Sequence, residues 1–464
     1  MPTLAGLLGV VLPAFDYLPT LGFDQPGLGA FARTLALPGL LPATLMSIGV
    51  GLVSTALALS LAVLLTATLA SRPTSRLLEL LAAPLIAVPH LSIAIGAAFL
   101  LAPSGWLVRL AALPLGLEQA PSLTLGAGYD LLVLTAVLVL KETPFLLAVL
   151  VAVSRQPDAE ARVALARSMG YGDVEARLKV LAPEWLQRSR LAVLAVLVYG
   201  IGNVELALVL GPSTPPLLPV LVLDLLTRPD LALRLDGSAA SLLLIAAIGL
   251  GHGCFRMGVA LLGRLFRRWQ LLGPTPGITA TVERLGAAAT WLLLVLLLLT
   301  LAMLGLWSLA GPWRFPDPLP EVFRPDLWQQ RGGMLLGHAG TTLLIAALTS
   351  VAALALVLFW LEATGRRRPP AWLWLPLVLP QIAFLFGLQV LTLSLGLTPG
   401  LVTVVLAHLL FVVPYTALLV ADSWADQDPR YAALARSLGR GRWAVFLQIK
   451  LRMLKGPLAL ALAI

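Results

Sequence analysis

Charge is scarce in this sequence. Only 12% of its 464 residues are Asp, Glu, Lys or Arg, 59% are hydrophobic, and mean hydropathy is +0.93. A soluble domain needs far more polar surface than this to cover its core. Cysteine is nearly missing: Cys254 alone excludes an internal disulfide and a thiolate metal cluster. The four histidines, His90, His252, His338 and His408, stand far apart, and no H-E-x-x-H spacing occurs. A metal site would need tertiary convergence, and none is expected. Lysine is just as rare. Lys141, Lys179, Lys450 and Lys455 are the whole set, and none precedes Ser or Thr. The phosphate-cradling loop G-x-x-x-x-G-K-[ST] is therefore absent, and ATP cannot be hydrolysed on this chain. No paired acidic motif or nucleophile elbow points to a membrane-embedded enzyme, and no cofactor is expected. The apolar stretch 3–14 lacks a basic n-region and an A-x-A site, so it reads as a short span rather than a cleavable signal.

What is present is a series of apolar runs of about 20 residues, the length that crosses a hydrocarbon core. The runs place spans at 3–19, 40–70, 77–102, 130–153, 191–211, 238–262, 287–311, 337–361, 371–397 and 400–424, with a last run from near 456. Span 40–70 exceeds one crossing and must tilt or overhang. The pI of about 10.3 does not signal nucleic acid binding, because the basic residues segregate. Loops 72–76, 155–190, 264–284, 366–368 and 430–455 hold 23 of the 32 Lys and Arg. By the positive-inside rule these loops, and the N-terminus, are cytoplasmic. Pro84, Pro89, Pro144, Pro376, Pro380 and Pro414 interrupt the runs. Such breaks survive in a membrane only against protein or a water-filled cavity, which favours a transporter.

One repeat organises the chain. Residues 164–172 read ALARSMGYG and residues 433–441 read ALARSLGRG, identical at seven of nine positions although they lie in opposite halves of the chain. Their flanks match too: Pro144-Phe145 and Pro414-Tyr415 precede the two copies at similar distances, and Pro89 and Pro380 each lie seven residues before a glycine. The chain therefore reads as a tandem duplication, residues 1–262 and 287–464, around a basic junction at 263–286. Asp428-Pro429 is a helix start, with Asp158 expected to cap the first copy. Ala161, Leu165 and Met169 share one helix face, as do Tyr431, Leu434 and Leu438. Gly170 and Gly439 suit a left-handed C-terminal turn, followed by second short helices at 173–182, which Pro183 is expected to stop, and 442–451.

At these residues the chain resembles the permeases of binding-protein-dependent ABC importers, which carry a cytoplasmic "EAA" loop of Glu-Ala-Ala, three residues and Gly. The resemblance extends over nearly the whole chain. It is most similar to fused permeases of the thiamine and ferric-iron type, on Pro89-His90, on Lys141-Glu142-Thr143-Pro144-Phe145 and on residues 211–216. The motif's Glu is Ala164 and Ala433 here, and its terminal Pro is Arg452 in the second copy. The resemblance implies an all-α polytopic bundle of two tandem permease repeats, with 10–11 spans here and about two more expected beyond residue 464. It implies a multi-pass protein of the bacterial inner membrane, two cytoplasmic ATPase subunits as partners, and a periplasmic or extracellular solute-binding protein on the other face. The ATPase-coupling residues would be Ala164, Arg167, Ser168, Gly170 and Gly172, with Ala433, Arg436, Ser437, Gly439 and Gly441. The substrate candidates it brings are thiamine, polyamines and ferric iron.

Polar residues inside apolar runs are the candidates for a translocation path, because charge at mid-membrane costs about 2.5–3.5 kcal/mol. These are His90, Lys141, Glu142, Asn203 and Glu205. Lys141 and Glu142 are adjacent and do not face each other. Glu142, Asn203 and Glu205 are expected to turn toward the bundle interior, and Glu142 with Pro144 to bracket a helix break. The same residues also serve as interhelical glue in the alternative reading. A second functional class, an ion-coupled secondary transporter, shares repeats, broken helices and buried charge but has no need of a repeated amphipathic cytoplasmic loop.

Overall fold

The computed structural model describes residues 2–69, 88–121, 127–154, 158–275, 277–365, 369–394, 396, 398 and 400–463. Residues 77–87 of the third expected span, with Pro84, lie outside them, as do the basic stretches 72–76, 155–157 and 366–368. Among the described residues there are helices and no strand, apart from two isolated bridges, Leu18 with Phe23 and Ala310 with Phe323. Seven helical stretches among the described residues are long and apolar enough to cross a membrane: Leu40–Leu69, His90–Leu115, Gly128–Ser154, Leu233–Leu271, Ile278–Leu309, Asp326–Thr364 and Leu401–Ala425. The chain is an all-α, multi-pass membrane protein.

Two compact units make up the chain. The larger comprises Leu8–Gly332 and Pro380–Phe386. Its elements begin with α1 (Pro2–Ala14), whose first residues belong to the other unit, α2 (Gly29–Leu35) and α3 (Leu40–Leu69). Then come α4 (His90–Leu101) and α5 (Trp106–Leu115), parted at 102–105 where Ala102 turns extended. α6 is Ala127–Ser154. A loop region follows with α7 (Ala159–Ser168), α8 (Asp173–Ala176) and α9 (Ala182–Arg188). The run expected as one span at 191–211 is two helices, α10 (Arg190–Gly202) and α11 (Glu205–Leu210). Extended backbone at Asn203 ends α10, and the Asn203 side chain captures an N–H of the next helix. α12 (Leu218–Thr227), α13 (Leu233–Leu271) and α14 (Ile278–Leu309) complete the series before α15 (Asp326–Thr364) crosses into the second unit. α13 and α14 run on into the basic junction, so only 272–277 separates them.

α3 is the axis of this unit. One apolar cluster gathers Ile48 of α3, Leu197 and Ile201 of α10, Val222 of α12 and Leu244 of α13. A second joins Val50 of α3, Ile93 of α4, Leu138 of α6, Leu206 of α11 and Leu297 of α14. Between them α3 and α10 cross at bare backbone: a Cβ on Gly51 would lie 2.3 Å from Ile201 Cγ1, and one on Gly200 3.1 Å from Gly51 Cα. Apolar tails give helices in a membrane no hydrophobic reason to associate, so such close small-residue contacts hold them together. α4 meets α14 the same way, at Gly96 against Thr300.

The prolines divide by position. Pro89 and Pro380 stand just before α4 and α17 (Gln381–Ser394), and Pro376 opens α16 (Leu375–Val378), where a missing N–H costs nothing. Pro144 lies inside α6 without breaking it, contrary to the expected bracket with Glu142. The Thr143 hydroxyl donates to the Val139 carbonyl, 2.6 Å, and neighbouring helices enclose the turn.

The smaller unit comprises Met1–Leu7, Gly333–Leu379 and Gly387–Ile464. It contains most of α15, α16, the later part of α17, α18 (Leu401–Ala425), a second loop region with α19 (Pro429–Ser437), α20 (Arg442–Val445) and α21 (Leu451–Met453), and α22 (Lys455–Ala463). The run expected as a single span at 371–397 is interrupted at Leu379-Pro380.

Candidate functional site

Two loops, one in each unit, follow the same backbone course. α7 ends at Ser168, and the Tyr171 N–H donates to Ala166 O while the Gly170 N–H donates to Arg167 O. α19 ends at Ser437 with Arg440 N–H to Ala435 O and Gly439 N–H to Arg436 O. Each glycine is left-handed, φ 88° at Gly170 and 79° at Gly439, as the sequence leads one to expect. Gly172 and Gly441 are extended and start the second helix. The parallel continues past the repeat: a wide π turn occupies Arg177–Leu181 in one loop and Phe446–Lys450 in the other, at the same offset from the two ALARS segments. Pro183 therefore does not stop the helix, contrary to expectation. The wide turn before it relieves the i−4 clash, and the chain stays helical to Arg188.

The two starts differ. Asp428 accepts the Arg430 N–H at 2.9 Å and caps α19. Asp158 makes no side-chain cap at the start of α7. Its φ is −100° and ψ 2°, which turns the carboxylate away from the N–H groups that an extended N-cap would meet.

The side chains sort by face. Ala166 and Ala435 are buried beneath the helices. Leu165 and Met169 of the first loop and Leu434 and Leu438 of the second, at matching positions, are 61–74% exposed and form an uncovered apolar stripe on each, which Tyr431, 57% exposed, extends in the second. Ala164, Arg167, Ser168 and Gly170 are exposed around the first stripe, as are Ala433, Arg436, Ser437 and Gly439 around the second. Ser168 and Ser437 donate back to Leu165 O and Leu434 O, 2.7 Å each, and so belong to the helix ends. Gly441 has open space around it. Gly172 has none: a Cβ there would lie 1.9 Å from Thr279 Oγ1.

Ion pairs brace the first loop. Buried Arg177 reaches Glu160 at 2.9 Å and Asp173 at 3.1 Å, joining α7 to α8. Burial disfavours its charge, but the two carboxylates more than compensate and raise its pKa. Arg162 and Arg188 share Glu184. Glu175 and Lys179 form a fully enclosed pair at 2.9 Å. Burial would push the Glu175 carboxyl up, yet the Lys179 ammonium and the Thr275 N–H hold it below the usual carboxylate value. In the second loop Lys450 and Arg442 meet at buried Glu362, 2.6 and 3.3 Å.

The polar residues of the spans divide into two groups. His90, Lys141 and Glu142 come together where α4 begins. His90 Nε2 lies 3.3 Å from Glu142 Oε1, and Lys141 Nζ donates to Val88 O at 2.5 Å. Lys141 and Glu142 are both buried on α6, on separate partners as their adjacency requires. The His90 ring packs 4.8 Å from Tyr199 of α10, a contact that only the fold reveals, although a tyrosine four residues before Asn203 in an apolar run is itself a hint. Asn203 is buried and accepts the Leu206 N–H at 2.7 Å. Glu205 is exposed instead of turning inward. The break at Asn203 re-aims the first turn of α11, and a carboxylate there sits favourably at the helix N-terminus.

No family model matches the chain. It is 28% identical over 389 residues to the inner membrane ABC transporter permease protein YnjC of Escherichia coli (strain K12), across 82% of this chain and 68% of that protein.

Proposed function

We propose that this chain is the permease subunit of an ATP-driven importer of the bacterial inner membrane, built from two tandem permease repeats with the N-terminus in the cytoplasm. The observation that carries the reading is the pair of loops: one backbone course, drawn twice, each time with an apolar stripe that its own unit leaves uncovered. The relative's name, an ABC transporter permease, agrees with it. α7 and α19 each dock one cytoplasmic ATPase subunit, through Ala164, Arg167, Ser168, Gly170 and Gly172 in the first loop and Ala433, Arg436, Ser437, Gly439 and Gly441 in the second. His90, Lys141, Glu142 and Asn203 belong to the translocation path, from which the outward-turned Glu205 is left out, and a solute-binding protein delivers to the opposite face. A thiamine-like cation, a polyamine or ferric iron is the substrate class that the resemblance supports.

The test is to isolate the complex through a tag on this chain from its own cells and to identify what accompanies it. Two copies of a soluble ATPase and ATP-dependent uptake into vesicles are expected. Uptake driven by an ion gradient, with no ATPase bound, would replace this reading with that of a secondary transporter.

A further inference from the structure

The enclosed pair Glu175–Lys179 does more than neutralise itself. Lys179 Nζ donates to the carbonyls of Leu272 and Gly273, 2.9 and 3.1 Å, just past the end of α13. Glu175 accepts the Thr275 N–H with both oxygens, 3.1 and 3.2 Å, just before α14. The Lys179 carbonyl in turn accepts from Gln270 Nε2 at 2.6 Å. A cation thus faces the carbonyls at the end of one helix, the favourable sense for a helix C-terminus, and an anion the Thr275 N–H in the link that leads to the next. The ammonium is flanked by the Trp269 and Tyr171 rings, at 4.7 and 5.1 Å. Next to this grip Gly172 presses backbone against Thr279, in the first turn of α14. Further along, α14 presses Thr300 onto Gly96 of α4, the helix that begins at His90.

We infer that Glu175 and Lys179 are positioning residues that clamp the first loop to the α13–α14 link, so that displacement of the loop is delivered to α14 and through it to α4. This rests on the reading of the loop as an ATPase docking point. It is a property of the first loop alone. The equivalent positions of the second loop are Ala444 and Gln448, and that loop grips Glu362 of α15 by a different set of groups. A contact that is merely structural would lower stability. A clamp also decides how far a movement travels, and that difference can be read.

The experiment uses the tagged complex in nanodiscs, with Mg-ATP and vanadate as the probe, and follows amide hydrogen exchange in 159–181 and in 278–300 with and without the probe. In the wild type both segments are expected to respond. In Glu175→Ala and Lys179→Met the response in 159–181 persists, while that in 278–300 falls at least about fivefold, within the range of ordinary coupling free energies. Lys179→Arg, which keeps the charge and the donors, retains most of the response. A wild-type response in 278–300 in both Glu175→Ala and Lys179→Met overturns the clamp. Should one variant fail to assemble, the other with Lys179→Arg still decides. Absence of any response in 159–181 in the wild type is a different failure, that of the docking reading, and the inference falls with it.

Discussion

Replacing Gly170 or Gly439 by Val tests the loops most directly, because the structure separates strain from crowding. Both glycines are left-handed, at φ 88° and 79°. A Cβ on Gly439 meets nothing within 4 Å, and one on Gly170 meets only Pro274 Cγ at an ordinary 3.6 Å. The cost is therefore conformational. Left-handed backbone costs an L-residue about 1–2 kcal/mol, and a β-branched one lies at the upper end. That shifts the population of the native turn by roughly 5- to 30-fold, without touching the membrane spans. The tagged complex should insert normally, retain less ATPase and lose uptake in the same proportion. Asn tolerates left-handed backbone, so Gly170→Asn and Gly439→Asn should retain more ATPase than the Val variants. Two results refute the reasoning: full ATPase retention and uptake in both Val variants, or equal losses with Asn and Val. The latter would mean that the glycines matter for space rather than for φ. The first loop is imperfectly mirrored at Arg452, so the two Val variants should differ in severity.

Other expectations follow from single contacts. Leu165→Asp and Leu434→Asp sit on exposed side chains, so they should abolish ATPase co-purification while leaving the thermal midpoint of the purified chain unchanged. Gly51→Ala must displace Ile201 and should cost about 1–3 kcal/mol, seen as a lower unfolding midpoint, whereas Gly49→Ala enters open space and should not. Asn203→Ala removes the acceptor for the Leu206 N–H and should weaken α11 by about 1 kcal/mol, read as faster exchange at that amide. Glu175, its pKa lowered in the folded state, contributes stability that is complete above the unfolded value of about 4.3. That contribution is lost as pH falls through the lowered value, so the protection factor of the Thr275 amide should drop there and stay flat above.

Much of this was legible in the sequence where a single local rule decides the outcome. Apolar length gave α3, α6 and α18 nearly to the residue, and the glycine of each ALARS segment announced its left-handed turn. Breaks were harder, because a proline or asparagine has two outcomes that neighbours choose between. Asn203 splits a span since its side chain can replace a lost backbone bond, while Pro144 does not, since Thr143 and close packing absorb it. The π turns left no trace in composition. Nor did the meeting of His90 with Glu142 and Tyr199, which depends on where α4, α6 and α10 cross. Glu175 and Lys179 have the spacing of a helical ion pair but are not among the residues expected at a site, and their partners are main-chain atoms beyond the next five helices, where main chain carries no sequence signature.

That last point bears on how the two loops can change over generations. The first loop reads the link at Leu272, Gly273 and Thr275 through carbonyls and an N–H, which every residue but proline supplies alike. Drift in the link's side chains leaves that grip intact, provided the turn is kept and no proline arrives at 275. The second loop hangs on one carboxylate, Glu362, which receives both Lys450 and Arg442. A single codon change there removes the carboxylate from Lys450 and leaves Arg442 only the Glu362 carbonyl, 2.7 Å away. The two grips thus differ in tolerance: the first is indifferent to side-chain changes in the link it holds, while the second loses its one carboxylate to any substitution of Glu362 other than Asp.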